Sequence, residues 1–272
     1  YYAHSISRHL FDQRDQYLAK VPFLMRPFFL IFSIFLKWLY KKEINKIDTI
    51  FVNSESNKKR MSEWLNRDDA IILYPSVDTN KFDIFDEKSV SQLIAIEWID
   101  TLYKDYYISF SRLTHAKRVD SIIRAFQQLP DKKIVILYGE NDSQKDEFIK
   151  MGIGYPNITF HKLIDNKHLP YIINWAIASI CISENEDFGM VAIESMACWV
   201  PVIAVNEGWY RESMIEWKTW YLLDPNNLEK ELIYSMQDNS IDTLRSMQDN
   251  CRKQSEKFSL KSMNTKLREY IR

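Results

Sequence analysis

The stretch from Ser183 to Val205, S-E-N-E-D-F-G-M-V-A-I-E-S-M-A-C-W-V-P-V-I-A-V, leaves this chain few folds to choose from. An apolar run, Ala178 to Ser183, predicts a buried strand. An acidic loop, Glu184 to Asp187, follows, and then Gly189. Val191, Ile193 and Met196 recur at helical spacing, Pro201 ends the helix, and Val202 to Val205 predicts the next strand. Such a strand–loop–helix–strand unit belongs to an open parallel α/β sheet, which binds ligands outside the carboxyl ends of its strands. Glu186 stands in the loop and Glu194 lies about a turn inside the helix, so both can face one ligand. The backbone N–H groups near Phe188, Gly189 and Met190 are unpaired at the helix start and can hold an anion such as a diphosphate.

A second unit of this kind opens at Asp105 with D-Y-Y-I-S-F-S-R-L-T-H-A-K-R-V-D. Tyr106 to Phe110 predicts a strand and Val119 to Leu129 a helix. Arg112 and Lys117 lie in the loop between them, where an arginine and a lysine can converge on one diphosphate. His115 and Arg118 are taken as bystanders. Lys133 to Gly139 and Pro156 to His161 predict further strands, and Leu169 to Trp175 a helix. Upstream, Ile47 to Asn53 predicts a strand, Ser54 or Ser56 a helix cap, and Lys58 to Leu65 a helix.

The string E-D-F-G-M-V-A-I-E, followed by A-C-W-V-P-V-I-A, resembles the signature of retaining nucleotide-sugar glycosyltransferases of family 4, the glycosyl transferases of group 1. S-R-L-x-x-x-K-R-x-D resembles that family's donor-phosphate site. Y-Y-A-H-S-I-S-R, Tyr1 to Arg8, resembles a Y-x-H-x-P-x-R segment of its mannosyltransferase-like members, with Ile6 where proline is usual. The resemblance implies an α/β fold of two Rossmann-like domains, the GT-B arrangement, with the first domain incomplete. Residues 1–85 would be the remainder of the acceptor-side domain and 86–104 a linker. Residues 105–255 would be the nucleotide-sugar domain, and 256–272 a helix crossing back to the first.

The implied reaction is transfer of a hexose, with mannose favoured, from GDP-mannose or a UDP-sugar to a saccharide or lipid-linked acceptor. Glu186, His4, Arg112 and Lys117 would carry the chemistry. Arg112, Lys117, Phe188, Gly189, Met190, Val191 and Glu194 would bind the donor, with Glu194 on the ribose. His4 and Arg8 would face the sugar cleft. No metal or other cofactor is expected, because basic side chains and the helix start supply the positive charge. The competing reading is an inactive sugar-nucleotide-binding paralogue or scaffold.

The net charge of −1 argues against nucleic acid as the partner. Cys181, Cys198 and Cys251 have no metal-type spacing and predict buried free thiols in a reducing, cytoplasmic setting. The absence of an initial methionine suggests a fragment. Pro22 to Tyr40 is apolar but interrupted by Arg26, Pro27 and Lys37. It is taken as a helix packed in the first domain rather than a membrane span. The alternative is peripheral contact with the inner membrane face, with Lys37, Lys41, Lys42 and Lys46 at its edge.

Trp199, Trp209, Trp217 and Trp220 stand where that family usually has glycine, and the chain has only five glycines. Two readings remain open. In one, UGA codons meaning glycine have been translated as tryptophan, which UGG codons would exclude. In the other, the loops have adapted in a diverged paralogue and Trp209 blocks the donor pocket.

Overall fold

A computed structural model describes residues 1–84, 105–142, 144–163, 165–215 and 218–271. The expected linker at 86–104 and Trp217 lie outside the described residues. Two compact units emerge, Tyr1–Tyr74 and Pro75–Arg272. The division therefore falls at Tyr74/Pro75, before the boundary expected at residue 85. Val77 bridges to Ser259, so this part of the expected first domain belongs to the second unit.

The first unit is a three-stranded parallel sheet in the order β1 (Tyr2–Ala3), β2 (Phe51–Val52), β3 (Ile71–Ile72). Helices α1 (Arg14–Lys20) and α2 (Arg26–Ile44) form the crossover from β1 to β2, and α3 (Glu55–Leu65) connects β2 to β3. Ala3, Ile6, Ile44, Ile50, Val52, Met61, Leu65 and Ala70 make the core. Of the two expected caps of α3, Ser54 is used: its Oγ accepts from the Asn57 N–H at 3.1 Å.

The expectation that Pro22 to Tyr40 packs inward is not met within this unit. Only Ser33 and Ile44 of α2 are buried, while Phe28, Ile31, Phe32, Phe35 and Trp38 are exposed. The apolar helix is also longer than the interrupted run suggested: Phe23–Ile44 is long and apolar enough, by length and composition, to cross a membrane.

The second unit holds a six-stranded parallel sheet. Its strands are β4 (Tyr106–Ser109), β5 (Ile134–Tyr138), β6 (Ile158–Lys162), β7 (Ala176–Cys181), β8 (Val202–Val205) and β9 (Trp220–Leu223). The spatial order is β6-β5-β4-β7-β8-β9. The chain therefore winds outward from β4 in one direction, returns, and winds outward from β7 in the other. That is the doubly wound order, and its topological switch lies between β4 and β7. The helices are α4 (Val119–Gln127), α5 (Lys145–Gly152), α6 (Leu169–Asn174), α7 (Met190–Ala197), α8 (Tyr210–Ser213), α9 (Leu228–Asp238), α10 (Ile241–Arg245), α11 (Gln248–Ser255) and α12 (Leu260–Arg268). β4, β5, β7 and β8 are almost wholly buried, which explains their unbroken apolar runs. Cys181, Cys198 and Cys251 are buried free thiols.

Helix α7 ends in a Schellman turn. The Trp199 N–H donates to the Met196 carbonyl at 3.0 Å and the Val200 N–H to the Ser195 carbonyl at 3.0 Å. Trp199 consequently takes φ 62°, the left-handed conformation that glycine enters without steric cost. Its indole N–H donates to Asp83 at 3.0 Å, which recovers part of the strain. Trp199→Gly is expected to stabilise the fold by about 0.5–1 kcal/mol, read as a higher urea midpoint at unchanged slope.

Candidate active site

The chain places its polar loops at the carboxyl end of the sheet, directly over the switch point. β4 delivers Phe110, Ser111 and Arg112; β7 delivers Ile182, Ser183 and Glu186; α7 begins at Met190. These segments enclose a cavity of about 240 Å³ whose lining includes Arg112, Lys117, Glu186, Phe188, Gly189, Met190, Val191 and Tyr210. Seven of the residues singled out from sequence thus share one cavity. A neighbouring hollow of about 180 Å³ shares Phe110, Ser111 and Arg112 and continues past Tyr138, Gly139 and Leu163 of the β5 and β6 ends.

The charges in the cavity are organised. Lys117 donates from Nζ to Glu186 Oε2, and both side chains are mostly buried. Arg112 is exposed and makes no hydrogen bond or ion pair among the described residues, so its guanidinium is available to an incoming anion. Gly189 begins α7, and a Cβ there would come within 2.8 Å of the Tyr210 ring. Cys181 lies at the cavity wall, but burial pushes its thiol up to about 12, which removes it as a thiolate nucleophile near neutral pH.

Glu194 lies outside the lining, one turn further along α7. Burial pushes its carboxyl up to about 7, against the opposing pull of Lys81. His4 and Arg8 belong to the first unit. His4 is exposed, its ring 4.5 Å from that of Tyr2. Arg8 is engaged by Asp12 at 2.9 Å, so an anionic ligand would have to compete with that carboxylate.

Two features went unseen in the sequence. Arg118, set aside as a bystander, holds Glu207 at 2.7 Å, and Glu207 accepts the Asn185 N–H at 3.0 Å. This clamp fixes the acidic loop that carries Glu186. Gly208 sits at φ 55° against that same loop, and a Cβ on it would stand 2.7 Å from the Glu186 carbonyl oxygen. Gly208→Ala is expected to cost about 1–3 kcal/mol of stability in urea unfolding, since left-handed strain and a backbone clash coincide. The contact of Gly208 with the Glu186 backbone becomes visible only in the fold.

Trp209 corrects a further expectation. It does not block the pocket. It is fully buried behind the wall, its ring 4.1 Å from Phe188 and 5.6 Å from Phe258, while its backbone N–H donates to the Glu186 carbonyl at 3.0 Å. The indole Nε1 has no partner among the described residues.

A doubly wound sheet with a cavity at its switch point is the arrangement in which open α/β domains bind ligands outside the carboxyl ends of their strands. Residues 101–258 match the family described as glycosyl transferases group 1, and the chain belongs to that family. The chain is 24% identical over 196 residues to D-inositol 3-phosphate glycosyltransferase of Mycobacteroides abscessus, covering 68% of this chain and 43% of the relative. It is 25% identical over 211 residues to the mouse (Mus musculus) alpha-1,3/1,6-mannosyltransferase ALG2, covering 70% of this chain and 49% of that protein. It thus spans about half the length of these curated relatives. Anabaena HepE, solved with UDP and glucose, superposes with a TM-score of 0.76 at 18% identity, covering 100% of this chain and 70% of HepE. The C-terminal domain of LpcC from Francisella tularensis gives 0.52 at 22% identity, covering 68% of this chain and 99% of that domain. The fold is that of the GT-B glycosyltransferases, with Rossmann-like units.

Proposed function

We propose that the chain is the donor-binding part of a retaining glycosyltransferase. It moves a hexose, mannose by preference, from GDP-mannose or a UDP-sugar to a saccharide or lipid-linked acceptor in cell-envelope polysaccharide or glycolipid synthesis, on the cytoplasmic side. The observation that carries this reading is the convergence of Arg112, Lys117, Glu186 and the start of α7 on one cavity at the sheet's switch point. ALG2 and the inositol-phosphate enzymes support the sugar-transfer class, and HepE was solved with UDP.

In this mechanism Arg112 and Lys117 take up the charge that develops on the departing diphosphate, aided by the amides at the start of α7. Lys117 is held by Glu186 until the phosphates arrive. Exchange of that partner frees the Glu186 carboxylate to accept hydrogen bonds from donor-sugar hydroxyls. Glu194 binds the ribose, the Leu163 side of the adjoining hollow receives the base, and His4 and Arg8 serve the sugar cleft. The reaction needs no metal, since these cations and dipoles supply the positive charge.

The test is proton NMR of the complete gene product with GDP-mannose or UDP-glucose and a lipid-linked saccharide. A product with the donor's anomeric configuration is expected. Inversion would contradict the retaining assignment. Nucleotide binding without transfer or hydrolysis would favour the inactive paralogue.

A further inference from the structure

We propose that the outer face of α2 is a docking surface for an anionic lipid bilayer, with the helix lying on the membrane and not crossing it. Leu24, Phe28, Ile31, Phe32, Phe35 and Trp38 recur at helical spacing and form one stripe. Phe28 is 73% exposed, Ile31 69% and Trp38 55%. A contiguous apolar stripe of this size on a folded unit marks an interaction surface. The opposite face is occupied: Ser33 and Ile44 are buried, and Lys37 sits 4.5 Å over the Phe11 ring.

Charge decides the occupant. Residues 14–46 contain seven basic side chains against two acidic ones. Lys42 and Lys46 continue the stripe past its C-terminal end, and Lys42 lies 5.2 Å over the Trp38 ring. Aromatic and aliphatic groups backed by lysines whose stems lie along them are the composition of an interfacial helix. A second copy is the poorer occupant, because its own stripe would bring another set of basic groups. The one acid on α2, Glu43, is already paired with Lys46 at 2.7 Å. Polybasic rims are attracted instead to anionic headgroups.

Topology decides between lying on the bilayer and crossing it. β1 and β2 are adjacent, parallel and hydrogen-bonded, with Tyr2 opposite Phe51. The whole connection between them contains one apolar helix of spanning length. A single crossing would put β1 and β2 on opposite sides of the bilayer, which their pairing forbids. Helix α2 therefore lies in the interface, with its apolar side chains in the headgroup–acyl boundary.

The test is flotation of the complete gene product with vesicles of phosphatidylcholine alone and with about 30% phosphatidylglycerol. Binding to the mixed vesicles, at least about tenfold tighter than to the neutral ones, is expected. Phe28→Glu with Phe35→Glu should abolish it, and Lys42→Glu with Lys46→Glu should weaken it at least about tenfold. All four side chains are exposed, and the nucleoside diphosphate titration should be unchanged. Alkaline carbonate should release the bound protein. Failure to float with the mixed vesicles would overturn the proposal, whether the face is covered by other parts of the chain or by a second copy. A dimer in sedimentation that Phe35→Glu separates would identify the second copy. Retention after carbonate would overturn the interfacial placement. Vesicle binding and nucleotide binding are separate readouts, so this proposal and the transferase assignment fail independently.

Discussion

Lys117→Ala is expected to weaken nucleoside diphosphate binding by about 10- to 100-fold, because it does two things at once. It removes a hydrogen bond to a charged group, at about 1.5–3 kcal/mol, where 1.4 kcal/mol is a factor of ten. It also strips Glu186 of its partner, leaving a carboxylate in the cavity where the phosphates arrive. Glu186→Gln separates the two effects. Alone, it should hold or improve diphosphate affinity by releasing Lys117, while sharply reducing transfer. Combined with Lys117→Ala, it should restore about tenfold of the lost affinity, a coupling measurable by calorimetry on the four proteins. Additive effects would show that the ion pair is remote from the ligand.

Nucleotide affinity should fall about tenfold from pH 8 to pH 6 through Glu194. Burial pushes this carboxyl up to about 7, so its ionised fraction drops from about nine tenths to about one tenth over that range. In the proposed donor site the ribose hydroxyls donate to the ionised form, so below pH 7 binding there must expel a proton. The nucleotide's own phosphate titrates nearby and adds a slope of its own. Glu194→Gln isolates the protein's share: the tenfold component should vanish while the phosphate component remains. The same burial gives a stability signature. The folded value exceeds the unfolded one, near 4.5, so the folded state holds the proton through the interval between them. Stability attributable to Glu194 is intact below about pH 4.5 and declines as pH rises to about 7, by up to about 3 kcal/mol. Glu194→Gln should remove that decline in urea titrations across the same window.

The features visible in the sequence are local ones. The α7 unit declared itself because a buried strand, a loop, an apolar helix and a stopping proline follow each other within Ala178 to Val205. Arg112 and Lys117 were legible because a cation pair after a strand has one natural destination in an open parallel sheet. Within the second unit the fold brings the Arg112–Lys117 loop and the Glu186 loop to the same switch point. The residues that escaped act across distance. Arg118 meets Glu207 from 89 residues away, and Gly208 supports Glu186 through the backbone. Such pairings leave no periodic or compositional trace. Trp209 misled for a related reason: a large side chain at a turn suggests obstruction, whereas the chain folds it behind the wall with Phe188 and Phe258. For α2 the sequence shows an apolar helix, but whether its outer face is covered is a property of its neighbours, and in the first unit that face is open.

The cavity between the β4 and β7 ends is proposed to hold the diphosphate of a nucleotide donor. Calorimetric titration of the protein and of Arg112→Ala with GDP and with UDP tests it most directly. Arg112 is exposed, so its removal should leave the fold intact. One of the two nucleotides should bind the parent protein, and Arg112→Ala should weaken that binding at least about tenfold. Binding of neither nucleotide by the complete protein, or equal binding by parent and variant, would contradict it.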